Sequence, residues 1–308
     1  MREATAVSPT TGFRVLIPYD GSGTARHAVE FLPQLPVKHV TLIHVVPSSY
    51  RIVPPLTDSE KEAWIAEVAP DMQEIATTLN DQGTPASIEI RSGEAATEII
   101  DAARSHDLIV MTTAGKGATA RLIFGNVADR VSRGAETPTL LLRGTLVSDG
   151  VQDVHRIVVP LDGSDLSSSA LPLAVTLAQG MGAPMLLVRV TDYDTVLQTA
   201  RQMRREGQVD PAGDEDLYDL ALRQATLEAE DYLKAQVKIL EEQGIQVEMT
   251  CPRGAPVHTL LDMLDGDDLV VMTSHGQSGY RRWLLGSVAE KLVREARAPV
   301  MLVPTRNA

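Results

Sequence analysis

One stretch of the chain occurs twice. Residues 110–129 read Val-Met-Thr-Thr-Ala-Gly-Lys-Gly-Ala-Thr-Ala-Arg-Leu-Ile-Phe-Gly-Asn-Val-Ala-Asp, and residues 271–290 read Val-Met-Thr-Ser-His-Gly-Gln-Ser-Gly-Tyr-Arg-Arg-Trp-Leu-Leu-Gly-Ser-Val-Ala-Glu. In both copies nine residues separate a loop glycine (Gly115, Gly276) from a second glycine (Gly125, Gly286). An apolar run precedes each copy, and Val288, Leu292, Val293 and Ala296 follow at helical spacing. A strand that feeds a glycine turn and then a helix leaves the first amides of that helix without internal partners, at its positive end. That is a phosphate-binding geometry. A chain of 308 residues that repeats such a unit folds as two units of about 150 residues each.

The rest of the chain keeps the same rhythm. Arg14 to Pro18 is a short apolar strand ending in Tyr19-Asp20-Gly21-Ser22-Gly23, turn chemistry in which Ser22 or Thr24 can cap a helix. Pro33 and Pro36 stop that helix. Strands are expected at 40–46, 86–90, 107–113 and 139–143, and helices at 58–79, 95–103 and 127–134. After a polar linker, 144–152, the pattern restarts at Arg156-Ile-Val-Val-Pro-Leu-Asp-Gly-Ser. A long helix (217–242), a strand (246–250), a helix (257–264) and a closing strand (300–303) complete the second copy. Asp20 maps to Asp162 at an offset of 142, His44 to Arg189 at 145, and Gly115 to Gly276 at 161. The second copy has therefore gained about 19 residues, placed around 192–216 and read as an extra helix or a mobile loop. The expected units are 12–146 and 153–306.

Strands alternating with helices imply parallel pairing and right-handed crossovers. Each unit is expected to be a doubly wound, five-stranded parallel α/β sheet. Ligands of such sheets bind beyond the carboxyl ends of the strands. The Asp20 and Asp162 turns and the two glycine loops all fall on that edge. The formal charge of −13 disfavours nucleic acid and anionic membrane as partners. A lone Cys251 excludes an intrachain disulfide, suits a reducing compartment, and has no partner at metal-ligand spacing. With no apolar run of membrane-spanning length and a polar start, the expectation is a cytoplasmic protein.

The pairing of Pro-x-Asp-Gly-Ser after strand one with Gly-(nine residues)-Gly-(Ser/Thr) after strand four resembles the universal stress protein family in its tandem form. The ending Ala298-Pro-Val-Met-Leu-Val matches too, and the likeness runs through both halves. The resemblance implies a Rossmann-like, HUP-type fold with strand order 3-2-1-4-5 in each half. It also implies an internal pseudo-dimer closed by strands 139–143 and 300–303. Its ATP-binding branch carries Gly-x-x-Gly-(nine)-Gly-(Ser/Thr). Here the second half departs at the first glycine, which is Thr273; the first half departs there, at Thr112, and at the final hydroxyl, which is Asn126. The resemblance implies ATP, with magnesium, as ligand of each half. The residues it brings together in the second half are Asp162, Ser164, Val190, Thr273, His275, Gly276, Gly286, Ser287 and Val288. In the first half they are Asp20, Ser22, Val45, Thr112, Gly115, Gly125, Asn126 and Val127.

Plainer readings stand beside these. Asp20 and Asp162 can serve only the turn amides, His44 can be structural, and Lys116, Arg121, Arg281 and Arg282 can be a solvated face. No P-loop signature and no nucleophile elbow occurs, and no catalytic or metal-binding residue is assigned. The function implied is regulatory, through adenine-nucleotide binding in the stress response. A scaffold acting through protein partners and a slow ATP-hydrolysing or adenylyl-transferring enzyme are the alternatives; pairing of whole chains stays open.

Overall fold

The computed structural model describes residues 12–47, 58–113, 125–143, 153–206, 217–274 and 285–305. The first half runs β1 (Phe13–Pro18), α1 (Gly23–Glu30), β2 (Val37–Pro47), α2 (Asp58–Asp81), β3 (Ala86–Gly93), α3 (Ala95–Ala103), β4 (Leu108–Thr112), α4 (Asn126–Gly134), β5 (Thr139–Leu142). The second half opens with β6 (Arg156–Pro160), α5 (Asp165–Ser168), α6 (Leu171–Met181), β7 (Met185–Val188) and α7 (Tyr193–Arg205). It continues with α8 (Leu217–Glu242), β8 (Val247–Thr250), α9 (Pro256–Met263), β9 (Asp268–Thr273), α10 (Ser287–Glu295) and β10 (Val300–Val303).

The ten strands of the described residues form one sheet, ordered β3-β2-β1-β4-β5-β10-β9-β6-β7-β8. Each half has the order 3-2-1-4-5, and the second mirrors the first across a central seam. Pairing is parallel everywhere except at that seam, where β5 meets β10 antiparallel with Leu141 opposite Val300 and Leu140 opposite Met301. Both seam strands are wholly apolar apart from Thr139, and their pairing removes two sheet edges that would otherwise stand open. The outer edges are blunted by charge instead, as at β3, where Arg91 lies 2.6 Å from Glu89 and 3.0 Å from Asp101.

The helices divide by face. Residues of α1, α2, α6 and α8 join one core with Val15, Ile17, Ile157 and Val159. Those of α3, α4, α9 and α10 join the other with Leu16, Ile109, Val158 and Val270. Equivalent helices of the two halves thus lie on the same face, so the pseudo-twofold axis is perpendicular to the sheet. The carboxyl ends of the two sets of strands then point to opposite rims. Each core is continuous through the seam.

Local chemistry explains the departures from the expected elements. Where the first half has one α-helix after β1, followed by a single 3-10 turn at Leu32–Gln34, the second has two α-helices, because Pro172 enters at the start of α6. Proline has no amide to give to the preceding turn and its ring collides with the carbonyl four residues back, so α5 stops at Ser168. The gained segment is helical over its described part. In α7, Val196, Ala200 and Met203 close a small separate core against Ala221 and Ala225 of α8.

At the amino ends of the strands each half carries the same ion pair. Asp107 accepts from the Arg14 amide at 2.9 Å and from its guanidinium at 3.2 Å. Asp268 accepts from Arg156 Nε at 2.7 Å and Nη2 at 3.0 Å. Burial raises the Asp107 carboxyl, but the Arg14 hydrogen bonds outweigh it and hold the group below its ordinary value. A carboxylate depressed in the fold stabilises above its unfolded pKa of about 3.9 and loses that contribution as pH falls through the folded value. Acid unfolding of Asp107→Asn should therefore show a shallower stability slope below about pH 4 than the parent chain.

Candidate functional site

β1 adjoins β4 and β6 adjoins β9, so the turns after strands one and four meet at one place on each rim. Both first turns have the same construction. Gly21 (φ 75°) and Gly163 (φ 87°) take the left-handed conformation that side chains disfavour. Asp20 Oδ1 accepts from the Ser22 amide at 3.0 Å and hydroxyl at 2.5 Å, and Ser22 Oγ caps α1 by accepting from the Ala25 amide. Asp162 Oδ1 accepts from the Ser164 amide at 2.9 Å and hydroxyl at 2.5 Å, and Ser164 caps α5 through the Ser167 amide. Both aspartates thus do the turn work that the plainer reading gives them. Ser22→Ala should cost about 1 kcal/mol in denaturant unfolding, as loss of an N-cap does.

The second turns are built differently. β4 and β9 run on to Thr113 and Ser274, whose amides still donate to Leu142 and Val303 across the sheet. Their carbonyls accept from the amides of Gly125 (2.6 Å) and Gly286 (2.8 Å), which brings the start of each following helix back against the end of its strand. Gly125 and Gly286 are the N-caps of α4 and α10, and neither helix has a side-chain cap. α1, α3, α5 and α7 are each capped by a side chain, from Ser22, Glu94, Ser164 and Asp192. The amides at the starts of α4 and α10 therefore face the rim without a competing oxygen from their own cap, as an anion site requires. Asn126 and Ser287 occupy the first helical position, are exposed, and precede the exposed Val127 and the half-buried Val288.

Thr112 and Thr273 are buried at the ends of their strands. Val45 and Val190, both half-buried, pack against the core on the α4 and α10 side. Gly115, His275 and Gly276 lie outside the described residues, as do Lys116, Arg121, Arg281 and Arg282.

Several contacts around these corners are invisible in a linear reading. Arg143, just past β5, donates to the carbonyls of Glu295 (3.1 Å) and Ala296 (3.3 Å), closing the C-terminal end of α10 from the other half. Arg133 of α4 reaches Glu290 of α10 at 3.8 Å. Tyr19 donates to Asp71 of α2, and burial together with that bond raises its phenol above the ordinary value. His44, buried, bonds through Nδ1 to the Tyr19 carbonyl at 2.8 Å. Since a carbonyl only accepts, Nδ1 carries a proton. The structural role read for His44 fits this. Among the described residues no group of three or more His, Cys, Asp or Glu side chains is arranged to hold a metal, and no helix is long and apolar enough to cross a membrane.

Comparison with known proteins follows the same division of the chain. The family model described as Universal stress protein family matches residues 13–143 and again 153–304. A universal stress protein of Mycolicibacterium smegmatis is 26% identical over 317 aligned residues, covering 97% of this chain and all of its own length. One of Methanocaldococcus jannaschii is 28% identical over 161 residues, 52% of this chain and 87% of its own. Among solved structures, a universal stress protein of Archaeoglobus fulgidus superposes with a TM-score of 0.69 at 18% identity, covering 94% of this chain and 98% of that one. The chain belongs to the universal stress protein family, in a tandem form with a matching unit in each half.

Proposed function

We propose that the chain is an adenine-nucleotide-binding regulatory protein of the stress response, built of two units, 12–146 and 153–306, each taking ATP at its own carboxyl rim. The observation that supports this most is the repeated corner. In both halves a helix opened by glycine, with no side-chain cap, is hydrogen-bonded back to the end of strand four beside the aspartate turn of strand one. The bare amides of α10, with the Ser287 hydroxyl, hold the phosphates in the second half. The amides of α4, with the Asn126 carboxamide, do so in the first. Asp162 and Asp20 border the ribose, and the main chain at Val190 and Val45 borders the base. Magnesium accompanies the phosphates as counter-ion. The second corner, which keeps the hydroxyl at Ser287, is the stronger of the two. No residue is given a catalytic role, and any turnover is slow and incidental.

Calorimetric titration with ATP and magnesium tests this through stoichiometry. Two sites per chain are expected. Gly286→Val should remove the second site and Gly125→Val the first, since a side chain there fills the approach of a phosphate to the helix amides. At a ligand concentration 100 times the dissociation constant, the folded chain should gain about 2.7 kcal/mol. Absence of both heat and stabilisation would leave the scaffold reading, which the engagement of both aspartates in their own turns favours.

A further inference from the structure

Where the repeat puts His44 in the first half, it puts Arg189 in the second. Past β7 the ladder with β8 continues: the Arg189 amide donates to Thr250 at 3.1 Å, the Thr191 amide to Pro252 at 2.9 Å, and Thr191 pairs with Arg253. Residues two apart on an extended strand share a face, so Arg189 and Thr191 point the same way. That way is toward α8, because the Arg189 guanidinium lies over the Tyr232 ring, 4.9 Å from its centre. This face is the one opposite α10.

The guanidinium is held in place without being neutralised. On one side is the Tyr232 ring, whose hydroxyl is 2.8 Å from Ser168 Oγ. Ser168 Oγ also lies 3.1 Å from the Ser164 carbonyl, so both bonds form together when the tyrosine hydroxyl donates to Ser168. On the other side is Gly163, where a Cβ would stand 2.8 Å from the Arg189 guanidinium carbon. Among the described residues no acceptor pairs with the guanidinium. The two acids of α8 next to Tyr232, Glu230 and Asp231, lie 3.2 and 3.4 Å from Lys234. Two positions further along, Thr191 is 3% exposed and its hydroxyl is buried with no hydrogen-bond partner. A buried hydroxyl is unfavourable to leave without a partner, and a guanidinium fixed by stacking keeps N–H donors that no acceptor among the described residues takes. At the places of Arg189 and Thr191 the first half has His44, held by Tyr19, and the buried Val46. The polar set belongs to the second half alone.

We propose that the second half carries a small-oxyanion site on the α8 face of its sheet, distinct from the α10 corner, with Arg189 as its half-exposed mouth and the Thr191 hydroxyl as its inner contact. The ligand class is a phosphate group. A planar carboxylate is satisfied by the guanidinium fork alone, whereas a third donor on the next same-face position suits a tetrahedral anion. The site does not rest on the nucleotide reading: its donors, Arg189 and Thr191, are other residues, although its wall at Gly163 belongs to the turn between Asp162 and Ser164.

The test is a nitrogen-15 NMR titration of the full chain, following the arginine Nε–H resonance that Arg189→Lys removes. Inorganic phosphate and glycerol phosphate are the two probes, and whichever shifts the signal at lower concentration names the source, free anion or phosphate ester. A saturable shift is expected, persisting when ATP is present in excess. Phosphate affinity read from other resonances of the site should fall about tenfold or more in Arg189→Gln and in Thr191→Val, which removes the hydroxyl without changing shape. No saturable shift with either probe overturns the proposal. So does affinity unchanged in both variants, or displacement of the probe by ATP, which would make Arg189 part of the nucleotide site.

Discussion

Met301→Asp is expected to destroy the ten-stranded sheet as a unit. Met301 is fully buried in β10, directly opposite the equally buried Leu140 of β5, and belongs to a core that draws residues from both halves. Truncating such a side chain to alanine typically costs 2–5 kcal/mol, and a carboxylate adds an unpaired charge where no water reaches. The combined loss, about 5 kcal/mol or more, is comparable with the 5–15 kcal/mol that holds an ordinary domain folded. Urea unfolding of the parent chain should be one transition seen alike by near-ultraviolet and far-ultraviolet circular dichroism, because the cores do not stop at the seam. The variant should unfold at much lower urea or in two separate steps. A variant that keeps a single transition at the parental midpoint would show that the seam contributes little.

Asp268→Ala should cost about 3 kcal/mol, against about 1 kcal/mol or less for Asp107→Ala, although the repeat makes the two positions equivalent. The difference lies in burial. Asp268 is 2% exposed and also accepts from the Asp265 amide at 2.9 Å, so removing it strands several donors in the interior. Arg156 is about a third exposed and can turn partly to water, which keeps the loss at the lower end of that known for buried pairs. Asp107 and Arg14 are a third and a half exposed, where a pair contributes at most about 1 kcal/mol. Chemical denaturation of the two variants side by side decides it. Equal losses would mean that the pairs act through the strand register they share and not through desolvation.

Elements with strong local signals are legible without any fold. The helices at 95–103 and 217–242 and the strand at 300–303 fall on the bounds read from sequence, since each has clean periodicity and a clear stop. β2 is longer than the apolar run that announced it, Val37–Pro47 against 40–46, because pairing with β1 reaches back to His39 and Val37, with Lys38 in a register irregularity between them, while β3 pairs only from Val40 on. The Pro172 break was readable in principle from one residue, yet the repeat with the first half argues for a single helix there and hides it. At the candidate corners, the spacing of Gly125 and Gly286 identifies the helix starts, and Ser22 reads, with Thr24, as one of two cap candidates after the aspartate, of which the structure uses Ser22. Arg143 on the end of α10, Arg133 beside Glu290, and Arg189 over Tyr232 have no linear signature. Each depends on a neighbour brought in by the seam or by a crossover more than 40 residues away.

The antiparallel seam also makes the molecule two-ended. The two strand-one and strand-four junctions lie about four strand spacings apart, roughly 19 Å along the sheet, and open on opposite rims. A partner of ordinary size, covering roughly 800 Å², can sit over one rim and never touch the other. Such a partner reads the near half directly and learns of the far half only through what the sheet transmits. α10 joins the two rims physically, a nine-residue rod whose start forms one corner and whose end is clasped by Arg143 from the other half. Under the two-site proposal, filled, half-filled and empty chains would present different pairs of faces, one on each rim.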